Sequence, residues 1–63
     1  MLNMIEIVGT SPDGFIEAVQ SALAGVAKSG QKAHFFEVLE QRGAVREGRI
    51  AEFQVIVRVA IEG

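Results

Sequence analysis

The sequence predicts an α+β subunit in which one helix and three strands follow the order β-α-β-β. One segment carries a single apolar stripe at the three-to-four residue spacing of a helix. Three other segments are rich in β-branched and aromatic residues, and in the last of them every second residue is apolar. The 63 residues suffice for one domain, 1–63, with no internal repeat or linker.

The first half of the chain predicts a strand followed by the helix. Leu2–Val8 has the composition of a strand. Ser11 then suits the N-cap position and Pro12 the first helical position. The apolar stripe continues to the end of a helix predicted over Pro12–Ser29, and Gly30 is a natural stop.

The second half predicts a β-hairpin. Its strands are Ala33–Arg42 and Arg49–Ile61, joined by a loop over Gly43–Glu47 that Gly48 closes. The third strand would be roughly 40 Å long at about 3.3 Å per residue, against about 27 Å for the helix. Part of that strand must therefore lie beyond the helix or beneath a neighbouring chain. Its apolar alternate residues, expected under the helix, are Ala51, Phe53, Val55, Val57, Val59 and Ile61.

Phe35 and Phe36 are adjacent on the second strand, so their side chains should point to opposite faces of the sheet. One helix can cover only one face. We expect Phe36 in the core beneath the helix, and Phe35 on the second face, beside Gln54 and Ile56 if the hairpin register permits. The uncovered Phe35 then requires a second chain, a ligand, or both.

Composition limits the remaining function classes. The formal net charge of −2 argues against sequence-independent binding of nucleic acid. The absence of cysteine excludes disulfides and thiolate zinc sites, and a lone histidine, His34, argues against a dedicated histidine metal site in one subunit. Oligomerisation is therefore the expected support for so small a core. No apolar run approaches the about 20 residues of a membrane span, and no signal peptide is visible, which favours a cytoplasmic protein.

Catalysis finds little support in the sequence. Ser11 is expected to cap the helix, and no histidine motif accompanies the helical serines. Four glutamates offer possible acid–base pairs, but a solvated or ion-paired sheet face explains them equally; these are Glu37, Glu40, Glu47 and Glu52. The segment Gly9–Gly14 leads into a helix N-terminus, yet it lacks the glycine spacing and the lysine of a phosphate-binding loop. We expect no enzyme and no metal site.

Binding of a flat ligand is better supported. Phe35 offers an aromatic plane for stacking. The amide of Gln54 both donates and accepts hydrogen bonds, and Arg42 can meet a phosphate or carboxylate. The structural alternative also stands: Phe35 packs in an interface, Gln54 is a polar residue on a half-exposed face, and Arg42 is a solvated hairpin residue.

Several short motifs, in order and over nearly the whole chain, resemble the dodecins. They are Ile7-Val8-Gly9-Thr10-Ser11-Pro12-Asp13-Gly14, Phe36-Glu37-Val38, Arg42-Gly43 and Phe53-Gln54-Val55. The resemblance implies a three-stranded antiparallel sheet wrapped around one helix, and a hollow homododecamer. It further implies pairs of flavins at subunit interfaces, FMN or riboflavin with FAD as a related form. Storage or buffering of the flavin, not catalysis, is the role it implies.

The resemblance also assigns site residues. Phe35 occupies the position where flavin-binding dodecins typically carry the stacking tryptophan. Gln54 matches the glutamine that hydrogen-bonds the ring, and Arg42 matches an arginine that assists ring or phosphate binding. Strict alternation places Arg42 on the face opposite to Phe35, so a bulge or a strand end must turn it. Because phenylalanine replaces the usual tryptophan at position 35, an alternative stands, a dodecin-like shell that binds a different small molecule or a cation. The segment Lys28–His34 also departs from the family pattern.

Overall fold

The computed structural model describes residues 1–63 as one helix packed on one sheet. The elements are β1 (Leu2–Ser11), α1 (Phe15–Lys28), β2 (Ala33–Arg46) and β3 (Arg49–Glu62). The sheet is antiparallel throughout, with the strand order β1-β3-β2. The predicted α+β class and the β-α-β-β order are confirmed.

The β2–β3 connection is tighter than the sequence predicted. β2 continues to Arg46, which pairs with Arg49, so only Glu47 and Gly48 form the turn. Both turn residues have positive φ, 53° and 76°, as a two-residue turn of type I′ requires. The predicted five-residue loop was wrong because a twisted hairpin can pair almost to its tip when glycine supplies a left-handed position.

The start of the helix also differs from the prediction. Ser11 ends β1 opposite Phe53, and its hydroxyl accepts a hydrogen bond from the backbone N–H of Asp13 at 3.0 Å. The cap position belongs to Gly14, without a side-chain hydrogen bond, and α1 begins at Phe15. The prediction of Ser11 as the helix N-cap was wrong, because Ser11 pairs within the sheet and its hydroxyl stabilises the turn that follows β1.

The helix packs on β1 and β3 and leaves much of β2 uncovered. Gly9 permits the close approach, since a Cβ there would lie 2.9 Å from the Cβ of Ala22 and would collide with the carbonyl oxygen of Ala18. The buried core lies between α1 and β3 and consists of Ala18, Ala22, Val26, Val55, Val57, Val59 and Ile61.

Phe36 was predicted in the core, and the structure corrects this. Its partner in the sheet is Val59, which places it on the helix side, yet 44% of Phe36 remains exposed. It lines an open groove of about 280 Å³ with Val38 and the helix residues Val19 and Leu23. The physical reason is the lateral position of α1, which lies over β1 and β3 and not over β2.

The hairpin projects beyond the helix, as the strand lengths predicted. Val45 and Ile50 pair there and are both exposed. Irregular pairing between Glu52 and Ile50 leaves Ala51 without a partner on β2, so Ala51 is exposed and not under the helix as predicted. The single helix lacks the length and the apolar character that a bilayer crossing requires.

Candidate functional site

The candidate site lies on the sheet face turned away from α1, called here the helix-free face. Strand register and the alternation of side chains define its members. They are Met4, Glu6, Val8 and Thr10 on β1; Glu52, Gln54, Ile56, Arg58 and Ala60 on β3; and Phe35, Glu37, Glu40 and Arg42 on β2.

Phe35 lies on the helix-free face, as predicted, but not beside Gln54. It pairs with Ala60, whose partner on the other side is Met4. Ala60 is fully buried between them, whereas 53% of Phe35 is exposed and offers its ring to a ligand or a second chain. Ala60 lies six positions from Gln54 on β3, which is about 20 Å along the strand. The predicted contact of Phe35 with Gln54 and Ile56 is therefore wrong within one chain.

A β-bulge brings Arg42 to the helix-free face. Val38 pairs with Val57 and Glu40 pairs with Ile56, so Leu39 is the extra residue on β2. One extra residue reverses the alternation that follows it, and Arg42 therefore pairs with Gln54. Of the two predicted ways to turn Arg42, a bulge or a strand end, the structure shows the bulge, four residues after Phe35.

Three polar side chains form a hydrogen-bonded row at this end of the face. Arg42 donates its Nε–H to Oε1 of Gln54 at 2.8 Å, and Gln54 donates from Nε2 to Oε1 of Glu52 at 2.9 Å. An arginine can only donate and a carboxylate can only accept, so the row fixes which way the amide of Gln54 points. One N–H and one carbonyl lone pair of that amide remain free for a ligand.

Charged residues separate the two ends of the site. Arg58 lies between Glu6 and Glu37, with N–O distances of 3.9 and 3.5 Å. Arg42 lies 3.7 Å from Glu40. Both arginines of the face thus have carboxylate neighbours, and the face as a whole carries more glutamates than arginines.

Glu52 is the site residue that the sequence reasoning failed to single out. It was considered only as one of four possible acids or bases. A usable signal was present, because residues two apart on a strand share a face and lie about 7 Å apart. Glu52 and Gln54 have that spacing, and a glutamate beside a glutamine on a half-exposed face is a natural hydrogen-bond pair.

Comparison with known proteins places the chain in a family. The dodecin family profile matches residues 1–62. The dodecin of Thermus thermophilus is 42% identical over 55 residues, which cover 87% of this chain and 80% of that protein. A solved dodecin from Streptomyces davaonensis superposes with a TM-score of 0.92 at 33% identity, covering 97% of this chain and 90% of that one.

A further solved structure is a variant of the Thermus thermophilus dodecin in which a tryptophan is replaced by phenylalanine. It superposes with a TM-score of 0.90 at 39% identity, over 97% of this chain and 91% of that one. The fold and these matches define a small α+β subunit with a single helix on a three-stranded sheet. The chain belongs to the dodecin family.

Proposed function

We propose that this protein is a non-catalytic flavin-binding protein, which holds FMN or riboflavin, with FAD as a related ligand, for storage or buffering. The main observation behind this proposal is that two groups on the helix-free face are available to a ligand. They are the exposed ring of Phe35 and the amide of Gln54, which still has one free N–H and one free carbonyl lone pair. An aromatic face and a donor–acceptor amide are what a flat heterocycle with polar ring edges needs.

The flavin site is shared between subunits in this proposal. Phe35 and Gln54 of one chain are about 20 Å apart along the sheet, too far for one ring system to stack on the first and bond to the second. A second copy that faces the helix-free face brings its own Gln54 and Arg42 toward Phe35. A stacked ring then covers the aromatic that the single helix leaves open.

The packing of a single chain supports self-association into the family's homododecamer. Only 10 of 63 residues are buried, so the isolated subunit has a very small core. Several large apolar side chains are exposed on both faces of the sheet, and such surface on a small protein marks an interface. They include Leu2, Met4, Val8, Phe36, Val38, Val45 and Ile50.

Phenylalanine at position 35 would give the proposed flavin site a smaller aromatic ring than tryptophan. A dodecin with phenylalanine in place of a tryptophan has been solved, and its chain superposes closely on this one. The smaller ring keeps a π face but loses stacking area, so we expect weaker flavin binding than an indole would give. It is also a poorer electron donor, so the bound flavin should keep more of its fluorescence.

The test is a titration of flavin into apo-protein, followed by fluorescence anisotropy. Anisotropy suits a phenylalanine site because it rises on binding even when the emission is only weakly quenched. We expect saturable binding of riboflavin in the micromolar range by the whole assembly. No rise up to tens of micromolar protein, with either riboflavin or FMN, would exclude the flavin proposal.

A second candidate is a dodecin-like shell that holds a different flat molecule or a cation. The observation in its favour is Phe35, because the residue that differs from the family motif is the one that stacks on the ligand. A cation would need ligands from several copies, since one chain brings together no group of three His, Asp or Glu side chains. Purified protein without yellow colour, combined with no flavin binding, would favour this candidate.

A further inference from the structure

Glu52 on one side and Arg42 on the other fix what the amide of Gln54 can recognise. The amide can rotate by half a turn and exchange its oxygen and nitrogen, and the two orientations present opposite patterns to a ligand. In the structure its oxygen faces Arg42 at 2.8 Å and its nitrogen faces Glu52 at 2.9 Å. Glu52 is the only acceptor that holds the nitrogen side.

The locked amide presents one free N–H beside one free carbonyl lone pair. Its complement is a ring edge that carries a carbonyl next to an N–H, as the imide edge of a pyrimidine-type ring does. We propose that Glu52 is a positioning residue that makes the site selective for a flat ligand with an imide edge. This inference rests on the proposed flavin binding. It adds that the Gln54 amide hydrogen-bonds the imide edge of the ring, and that Glu52 helps to orient the amide for this contact.

Methylation of the ligand's imide nitrogen tests directly whether the amide of Gln54 hydrogen-bonds the imide edge. Riboflavin and 3-methylriboflavin offer nearly the same ring to Phe35 and carry the same charge, but the methyl group removes the donor to the oxygen of Gln54. Losing that hydrogen bond, and placing a methyl group against an oxygen that then keeps only Arg42 as its donor, should weaken binding of the methylated flavin by about tenfold. The ratio of the two dissociation constants therefore reports the orientation of the amide, independently of overall affinity.

Four variants test whether Glu52 orients the amide of Gln54 or only supports the structure around it. Glu52→Gln keeps an acceptor and should keep the tenfold ratio. Glu52→Lys places a donor against the nitrogen of Gln54, so the amide turns in part of the molecules and the ratio should fall to about threefold or less. Glu52→Ala should fall between these values. Glu47→Lys makes the same charge change at the exposed hairpin turn, outside the candidate site, and should leave the ratio unchanged.

Titration of the two flavins into assembled wild-type and variant protein, with anisotropy as the readout, measures these ratios. The ratio should be equal in the wild type, Glu52→Gln and Glu47→Lys. It should be smaller in Glu52→Ala and smallest in Glu52→Lys. A wild-type ratio near one, or a Glu52→Lys ratio equal to that of the wild type, would overturn the role of Glu52 while leaving flavin binding intact. Failure of the wild type to bind either flavin would overturn both this inference and the proposed function.

Discussion

Arg42 donates its Nε–H to Oε1 of Gln54 across the β2–β3 pair, and this contact exists because Leu39 is an extra residue in β2. Without the bulge, Arg42 would lie on the helix side and Gln54 would lose its partner. A single unpaired residue thus assembles one half of the proposed flavin site.

Deletion of Leu39 should therefore remove the site together with part of the fold. The shorter strand must either turn Arg42 away from Gln54 or turn Phe36 and Val38 away from the helix side. We expect destabilisation of at least about 2 kcal/mol in chemical unfolding at fixed protein concentration, and loss of riboflavin binding. The matched control is Leu39→Ala, which keeps the residue count and should bind riboflavin within about threefold of the wild type.

The ring of Phe35 should dominate flavin affinity. Phe35→Ala removes stacking worth about 0.5–1.5 kcal/mol and apolar contact worth about 1.5–3 kcal/mol, so riboflavin binding should weaken by at least about thirtyfold. Phe35→Trp should tighten binding and lower the emission of the bound flavin, because indole has a larger face and is a better electron donor. Anisotropy and emission intensity in one titration measure both effects. Equal affinity of Phe35→Ala and wild type would show that the ring does not stack on the ligand.

The excess of carboxylates on the helix-free face should disfavour the phosphate of FMN. We expect riboflavin to bind more tightly than FMN at low ionic strength, and the gap to narrow at about 0.5 M salt, where charges are screened within several Å. Glu40→Gln releases Arg42 from its 3.7 Å neighbour and should improve FMN binding by about two- to fivefold, with little change for riboflavin. FMN that binds more tightly than riboflavin at every salt concentration would contradict this prediction.

The close packing of α1 on β1 should make Gly9 intolerant of any side chain. A Cβ at Gly9 would collide with the carbonyl of Ala18, so Gly9→Ala should cost about 1–3 kcal/mol or more in the free energy of unfolding. Gly25 lies within the same helix with no atom near its missing Cβ. Gly25→Ala should therefore stabilise the protein by about 0.5–1 kcal/mol. A similar loss for both variants would contradict the packing described.

The element order and the two faces of β3 were predictable because they depend on local patterns. The helix stripe, the alternation in β3 and the glycine at the hairpin tip each occupy a few neighbouring residues. The exposure of Phe36 was not predictable in this way, because it depends on where α1 lies across the sheet. Which strand lies beneath a helix is set by close approaches such as that of Gly9 and Ala18, not by periodicity.

The sequence was sufficient to predict which residue types belong to the candidate site, but not how these residues lie relative to one another on the sheet. Alternation placed Phe35 on the helix-free face and showed that Arg42 needed a bulge or a strand end to reach it. The position of that bulge, and with it the pairing of Phe35 with Ala60, depends on hairpin register. Register is a property of two strands together, which explains why Phe35 was placed beside Gln54 wrongly.

The shared site is the central claim, and co-assembly of two inactive variants tests it most directly. Phe35→Ala subunits still supply Gln54, and Gln54→Ala subunits still supply Phe35. Each variant alone should bind riboflavin poorly. Particles refolded from an equal mixture should regain saturable, near wild-type binding at the fraction of sites that combine an intact Phe35 with an intact Gln54. A mixture that binds no better than the two variants separately would contradict a site formed between subunits.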